Sequence, residues 1–199
     1  MRAPMEEGVA SVRVIVVRDG SLATDEAVYE LPIEGGYVRP EPELDVLQVA
    51  VVERHGKRGG VGVGFVSGFG LRRGAVASTY AHDSHNVVVV GASWSDMHRA
   101  VARLAELQGG VVVVEGGRVV AEVRLEVAGL MSVRPVGELA SKLDEVHRGL
   151  EGLGCRLTSP IATLSFITLP VIPKLKITDR GLVDVGAARI VDPVVEARR

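Results

Sequence analysis

The chain has 199 residues, 47% of them hydrophobic and 24% charged, and carries a net charge of -2. These proportions fit a globular protein of one domain, or two small ones, and exclude a disordered chain. The single cysteine, Cys155, excludes an intrachain disulfide and any metal site built on several thiolates, and suits a small buried hydrophobe. Few aromatics and no basic block argue against nucleic acid as a partner. The first residues do not follow a signal-peptide pattern, and no apolar run approaches the roughly 18 residues that span a bilayer, so a cytoplasmic location without membrane contact is expected.

In chain order, residues 1–9 carry no periodic signal and are expected to fray. The alternation in ASVRVIVVR at 10–18 predicts a strand, closed by an Asp19-Gly20 turn. A second strand is expected over 27–33, bounded by Gly35-Gly36, and the two prolines of 39–43 predict a loop. DVLQVAVVER at 45–54 reads as a buried β-branched strand. Glycines at 60, 62, 64, 68, 70 and 74 then recur through two further strands, 60–65 and 74–81. Extended glycines cost conformational entropy, so these positions point to tight sheet packing or to a partner's close approach. The spacing meets neither the Walker nor the Rossmann pattern, and the segment leads into a strand instead of a helix, which argues against a phosphate cradle.

The polar loop His82-Asp83-Ser84-His85-Asn86 precedes a strand over 86–91. A helix capped by Ser93 or Ser95 is expected to run to Leu107, with Met97, Val101, Leu104 and Ala105 on one face and Gly109-Gly110 after it. Residues 111–114 and 118–127 predict a hairpin about Glu115-Gly116-Gly117. A second long helix after Pro135 should bury Val136, Leu139, Leu143, Val146 and Leu150, with Glu138–Lys142 and Asp144–Arg148 paired outside. Three prolines beyond Gly154 predict edge strand and loop, not helix. A short strand near Ile190 and a frayed tail over 193–199 follow. With no internal repeat, the expected fold is one α+β domain with mostly antiparallel sheet layers and two long helices.

Two polar clusters are candidate sites. His82 and His85, three apart, can offer imidazoles to one metal with Asp83 orienting them and Glu53 or His55 as a third ligand. Equally, Asp, Ser and Asn in such a loop commonly hydrogen-bond the turn to itself. Glu53-Arg54-His55 at a strand end can act on a carbonyl, hold an interdomain contact, or simply be a solvated terminus. His98 and His147 read as structural, and Thr178-Asp179-Arg180-Gly181 reads as a capped bend.

The stretches AVVERHG (50–56), GFVSGFGLRRGAVASTYAHDSHNVVVVG (64–91), GGVVVVEGGRVVAEVRLEVAGLMS (109–132) and TLSFITLPVIPKLKITDRGLVDV (163–185) resemble the C-terminal domain of adenine deaminase. That family converts adenine to hypoxanthine and ammonia. Gln48 departs from a lysine the family prefers, removing a charge that would pair with Glu53; Thr79 and Arg72 are milder departures from serine and lysine. The resemblance implies that the metal, manganese, iron or zinc, sits in a separate amidohydrolase barrel whose His-x-His and later His and Asp ligands have no counterpart here. It implies an accessory role for this chain, as a domain or split subunit with the barrel as partner, adenine as the full enzyme's substrate and a homo-oligomer as a further possibility. His82, Asp83 and His85 would then be accessory to the barrel's site. Glu53, Arg54, His55, Gly68, Gly70, Ser84 and Asn86 would form the substrate or domain contact. Two alternatives stand beside this: a non-catalytic purine-sensing or scaffolding module, and a small metal-dependent hydrolase using His82 and His85.

Overall fold

A computed structural model describes all 199 residues. Nine strands follow one another across a single large sheet, in the order β3-β2-β1-β5-β4-β7-β6-β8-β9. They are β1 (Gly8–Val16), β2 (Asp25–Glu34), β3 (Tyr37–Val38), β4 (Leu47–Val52), β5 (Val61–Ser67), β6 (Ala75–Ser78), β7 (Val87–Gly91), β8 (Gly110–Glu115) and β9 (Arg118–Arg124). Every neighbouring pair is antiparallel except β1 with β5. The α+β class, the antiparallel sheet and the two long helices are as the sequence predicts, with α1 at Trp94–Leu107 and α2 at Val136–Gly152.

The two faces of the sheet carry different layers because alternate side chains point opposite ways along each strand. On one face α1 packs Met97, Ala100 and Leu104 against Ala75, Ala77, Val89, Val112 and Val114. Ser93 is its N-cap, and Gln108 takes the left-handed conformation at its end. Ala105, expected inside, is exposed, and Ala100, one turn before Leu104, is buried instead. The other face holds the largest core. There Val49, Val51, Val66, Val88, Val90, Val111 and Val113 meet Val146 and Leu150 of α2 and a small three-stranded sheet, β10 (Leu175–Thr178), β11 (Gly181–Asp184) and β12 (Arg189–Val191).

The glycines of β5 explain how the small sheet comes so close. A Cβ on Gly62 would lie 1.9 Å from the Thr178 carbonyl oxygen, and one on Gly60 would lie 2.8 Å from that of Asp179. The sequence reading of tight sheet packing therefore holds at these two positions.

Several expectations are corrected. Pro160 does not break a helix: it occupies the first turn of α3 (Pro160–Phe166), where its missing N–H has no intrahelical partner to lose. The tail expected to fray forms β13 (Val194–Arg198), antiparallel to β1, so the chain's last residues are tied to its first strand. The first residues are held as well, since Ala3 donates to the Gly36 carbonyl and Val38 to that of Met1. Val136 is 84% exposed, in a first turn of α2 where Gly137 and Glu138 are exposed too. Lys142 pairs with Glu145, and Glu138 with Arg134, instead of the expected partners. Lys176 is fully buried, with Nζ donating to the carbonyls of Leu22 and Phe166 at 2.8 and 3.0 Å. Burial with no carboxylate partner lowers its pKa to about 8.

Candidate functional site

Strands β4 and β7 are neighbours in register, with Val52 opposite Val87. The segment after β4 and the segment before β7 therefore emerge side by side, and the two polar clusters of the sequence become one. Arg54 joins them. Its Nε donates to the His85 carbonyl at 2.6 Å, its Nη2 to the Ala128 carbonyl at 2.8 Å, and its backbone N–H to Asn86 Oδ1 at 3.3 Å. His55 Nε2 meets the Ser84 carbonyl at 2.7 Å.

The His82–Asn86 loop is also held by α3 and by Thr168 just after it. The His82 backbone N–H donates to Ser165 Oγ at 3.1 Å, its Nδ1 contacts the same hydroxyl, and Thr168 Oγ1 donates to the His82 carbonyl at 2.6 Å. The His85 N–H returns to the Ala81 carbonyl at 2.6 Å, while Ala81 N–H donates to His85 Nδ1 at 3.3 Å, which leaves the neutral ring's proton on Nε2. Burial, then the nearby His82 and Arg54, lower the His85 pKa, which favours that neutral form. Tyr80 sits edge-on to His82, centroids 5.1 Å apart, and the two imidazole centroids are 5.6 Å apart.

Glu53 faces inward on its own loop. Its carboxylate accepts the backbone N–H groups of His55, Lys57, Arg58 and Gly59, the last three at 3.0, 3.2 and 3.1 Å. Those donors, led by Gly59, hold its pKa down to about 2. The carboxylate's lone pairs are thus spent on the loop. The residues present do not fit a resident metal: no three His, Cys, Asp or Glu side chains converge to hold an ion, and His82, His85 and Glu53 each point to a different partner.

What the loops frame is a polar hollow of about 630 Å³ with no hydrophobic lining residue. Asp83 and Ser84, both exposed, line it together with Lys57, Arg58, Asp179 and Arg180. The Thr178–Gly181 bend, which gave no chemical signal in sequence, therefore shares this surface. Ser165 and Thr168 were also missed: nothing in a hydroxyl's sequence context shows that it lies under a loop more than 80 residues earlier.

Gly68 and Gly70 are not part of this surface. They lie beyond the far end of β5, where both N–H groups donate to Asp45 at 2.7 Å and both backbones have positive φ. Gln48 is likewise remote. It lies opposite Gly91 at the start of β4, about 17 Å of strand from Glu53 at roughly 3.3 Å per residue, so a charge there would have had no pairing with Glu53. His98 is exposed, and His147 lines a separate apolar groove between α2 and the sheet.

The fold and this surface define an α+β domain that presents a polar face anchored from behind by Arg54, Ser165 and Thr168. The chain belongs to the adenine deaminase C-terminal domain family, whose sequence model matches residues 21–189. It is 46% identical over 192 residues to the adenine deaminase of Moorella thermoacetica, covering 96% of this chain and 32% of that protein. With the adenine deaminase of Brucella melitensis biotype 1 it shares 50% identity over 173 residues, 87% of this chain and 30% of the relative. The adenine deaminase of Dehalococcoides mccartyi strain 195 is 45% identical over 178 residues, 89% of this chain and 31% of the relative. The chain spans about a third of the length of these relatives. No helix is long and apolar enough to cross a membrane.

Proposed function

We propose that this chain is the accessory C-terminal part of an adenine deaminase, acting with a metal-bearing amidohydrolase barrel that performs the hydrolysis of adenine to hypoxanthine and ammonia. The carrying observation is a pairing of two facts: the match to adenine deaminases covers about a third of their length, and the matched third holds no cluster of metal ligands. Manganese, iron or zinc belongs to the barrel in this reading. Hydrolysis at a purine carbon needs an activated water and a proton route to the leaving ammonia, and this chain's own residues do neither.

Its contribution is positional. Arg54, Ser165 and Thr168 fix the His82–Asn86 loop from behind and leave Asp83 and Ser84 facing outward. A prepositioned polar loop contacts a partner without the entropy loss of ordering itself. The role assigned to His82, Asp83, Ser84, His85 and Asn86, with Arg54 and His55 behind them, is contact with the barrel close to its pocket, in the cytoplasm and in the service of purine salvage. The test is deaminase activity of the isolated chain and of the chain mixed with the catalytic chain of the same source. Adenine turnover is expected only in the mixture.

A further inference from the structure

The connection between β1 and β2, residues 17–24, reaches both ends of α3. Asp19 Oδ1 accepts the backbone N–H and the Oγ1 hydroxyl of Thr158, each at 2.9 Å, immediately before Ser159, the N-cap of α3. Ser159 makes no side-chain cap bond of its own, so the side-chain anchor at that end comes from Asp19. At the other end the Leu22 carbonyl, in the same connection, accepts from Lys176 Nζ at 2.8 Å, and Nζ also donates at 3.0 Å to the carbonyl of Phe166, the last residue of α3. Thr24 closes the connection onto β10, its Oγ1 donating to the Leu175 carbonyl at 2.7 Å.

A helix of seven residues has little stability of its own, so its place is set by what grips it. Its last turn in turn carries the polar loop: Ser165 accepts the His82 N–H, Thr168 just beyond donates to the His82 carbonyl, and the Phe166 ring lies 5.8 Å from that of His82 between centroids. Burying Lys176 completely, with carbonyls and no carboxylate as partners, costs stability that an apolar side chain of similar length would not. What the amine adds is direction. It holds the Leu22 and Phe166 carbonyls at one point, which an apolar side chain cannot do.

We infer that Asp19 and Lys176 are positioning residues: they fix α3 at its two ends and, through Ser165 and Thr168, set the outward pose of the His82–Asn86 loop. The consequence for adenine turnover rests on the accessory role proposed above. The hold on the loop is a property of this chain alone and is measured without a partner.

Amide exchange at His85, inside the loop, compared with exchange in the central strand β7 separates loosening of the loop from loosening of the fold. Asp19→Ala, at an exposed position, and Lys176→Met are each expected to speed exchange at His85 by about tenfold, to speed it less in β7, and to lower the gain in adenine turnover on mixing with the catalytic chain of the same source. Asp19→Asn keeps an acceptor for Thr158 and should restore both readouts. With Ser165→Ala and Thr168→Val already in place, Asp19→Ala should add little at His85, because the link from α3 to the loop is already cut. Unchanged exchange at His85 in both variants, equal acceleration in β7, or an undiminished effect of Asp19→Ala in that background would overturn the inference. A loosened loop with the full gain on mixing would uphold it and overturn the loop's part in the accessory role.

Discussion

Replacing Arg54 with alanine removes the clamp between the two halves of the polar face. Two hydrogen bonds from a charged donor are lost, to the carbonyls of His85 and Ala128. Bonds of this kind contribute about 1.5–3 kcal/mol each when well shielded. Arg54 is only partly buried, so solvent replaces part of the loss and the total falls below the roughly 3 kcal/mol that two such bonds would give at their weakest, to about 2 kcal/mol. At roughly 2–4 °C per kcal/mol for a chain of this size, the melting temperature should fall by about 4–8 °C. Arg54→Lys should recover about half, since one ammonium cannot reach both carbonyls with a fork's geometry. Denaturant melts give the global figure, and amide exchange gives the local one, with faster exchange expected at His85, whose N–H is bonded within the loop. If Arg54→Ala changes stability by less than about 0.5 kcal/mol and leaves exchange in the loop untouched, the clamp is an incidental contact and the argument for a prepositioned loop fails.

Gly62→Ala places a methyl against a backbone carbonyl that cannot swing away, so a loss of about 3 kcal/mol is expected by denaturant melt, whereas Gly152→Ala, in a helix with open space around it, should be neutral or gain up to about 1 kcal/mol. Equal effects would contradict the sheet-packing account. Glu53 titrates near 2 in the folded chain against an ordinary 4.5, so its stabilising contribution is complete above about 4.5 and is lost as pH falls from there towards 2. Glu53→Gln should flatten the stability profile over that window and leave it unchanged at neutral pH apart from a constant offset; a profile that keeps its slope assigns the acid sensitivity to another carboxylate.

The strands and long helices were legible because their signals are local. Alternating valines mark β1 and β4, an unbroken valine run marks β7, and the three-to-four residue spacing of Met97, Val101 and Leu104 marks α1. What escaped depends on partners distant in sequence. VVEAR at the C-terminus reads as a charged tail, and only its pairing with β1, some 185 residues earlier, makes it a strand. Pro160 reads as a breaker unless its place at the start of a helix is known. The composition of the polar face was visible, since 53–55 and 82–86 were both singled out, but its wiring was not. Glu53 has the residue type of a metal ligand, yet the groups that consume its oxygens are backbone amides, which every sequence has and no sequence displays. The glycine run likewise split in two: Gly60 and Gly62 admit the small sheet, while Gly68 and Gly70 serve Asp45 at the other end of the strand.

The accessory role is tested most directly by measuring adenine turnover with the purified chain, with the catalytic chain of the same source, and with the two mixed, each with manganese, iron or zinc supplied. The account predicts negligible hypoxanthine from this chain alone under every metal and a gain on mixing. Robust turnover by the isolated chain, abolished by His82→Ala and His85→Ala, would contradict it and place the chemistry in this domain.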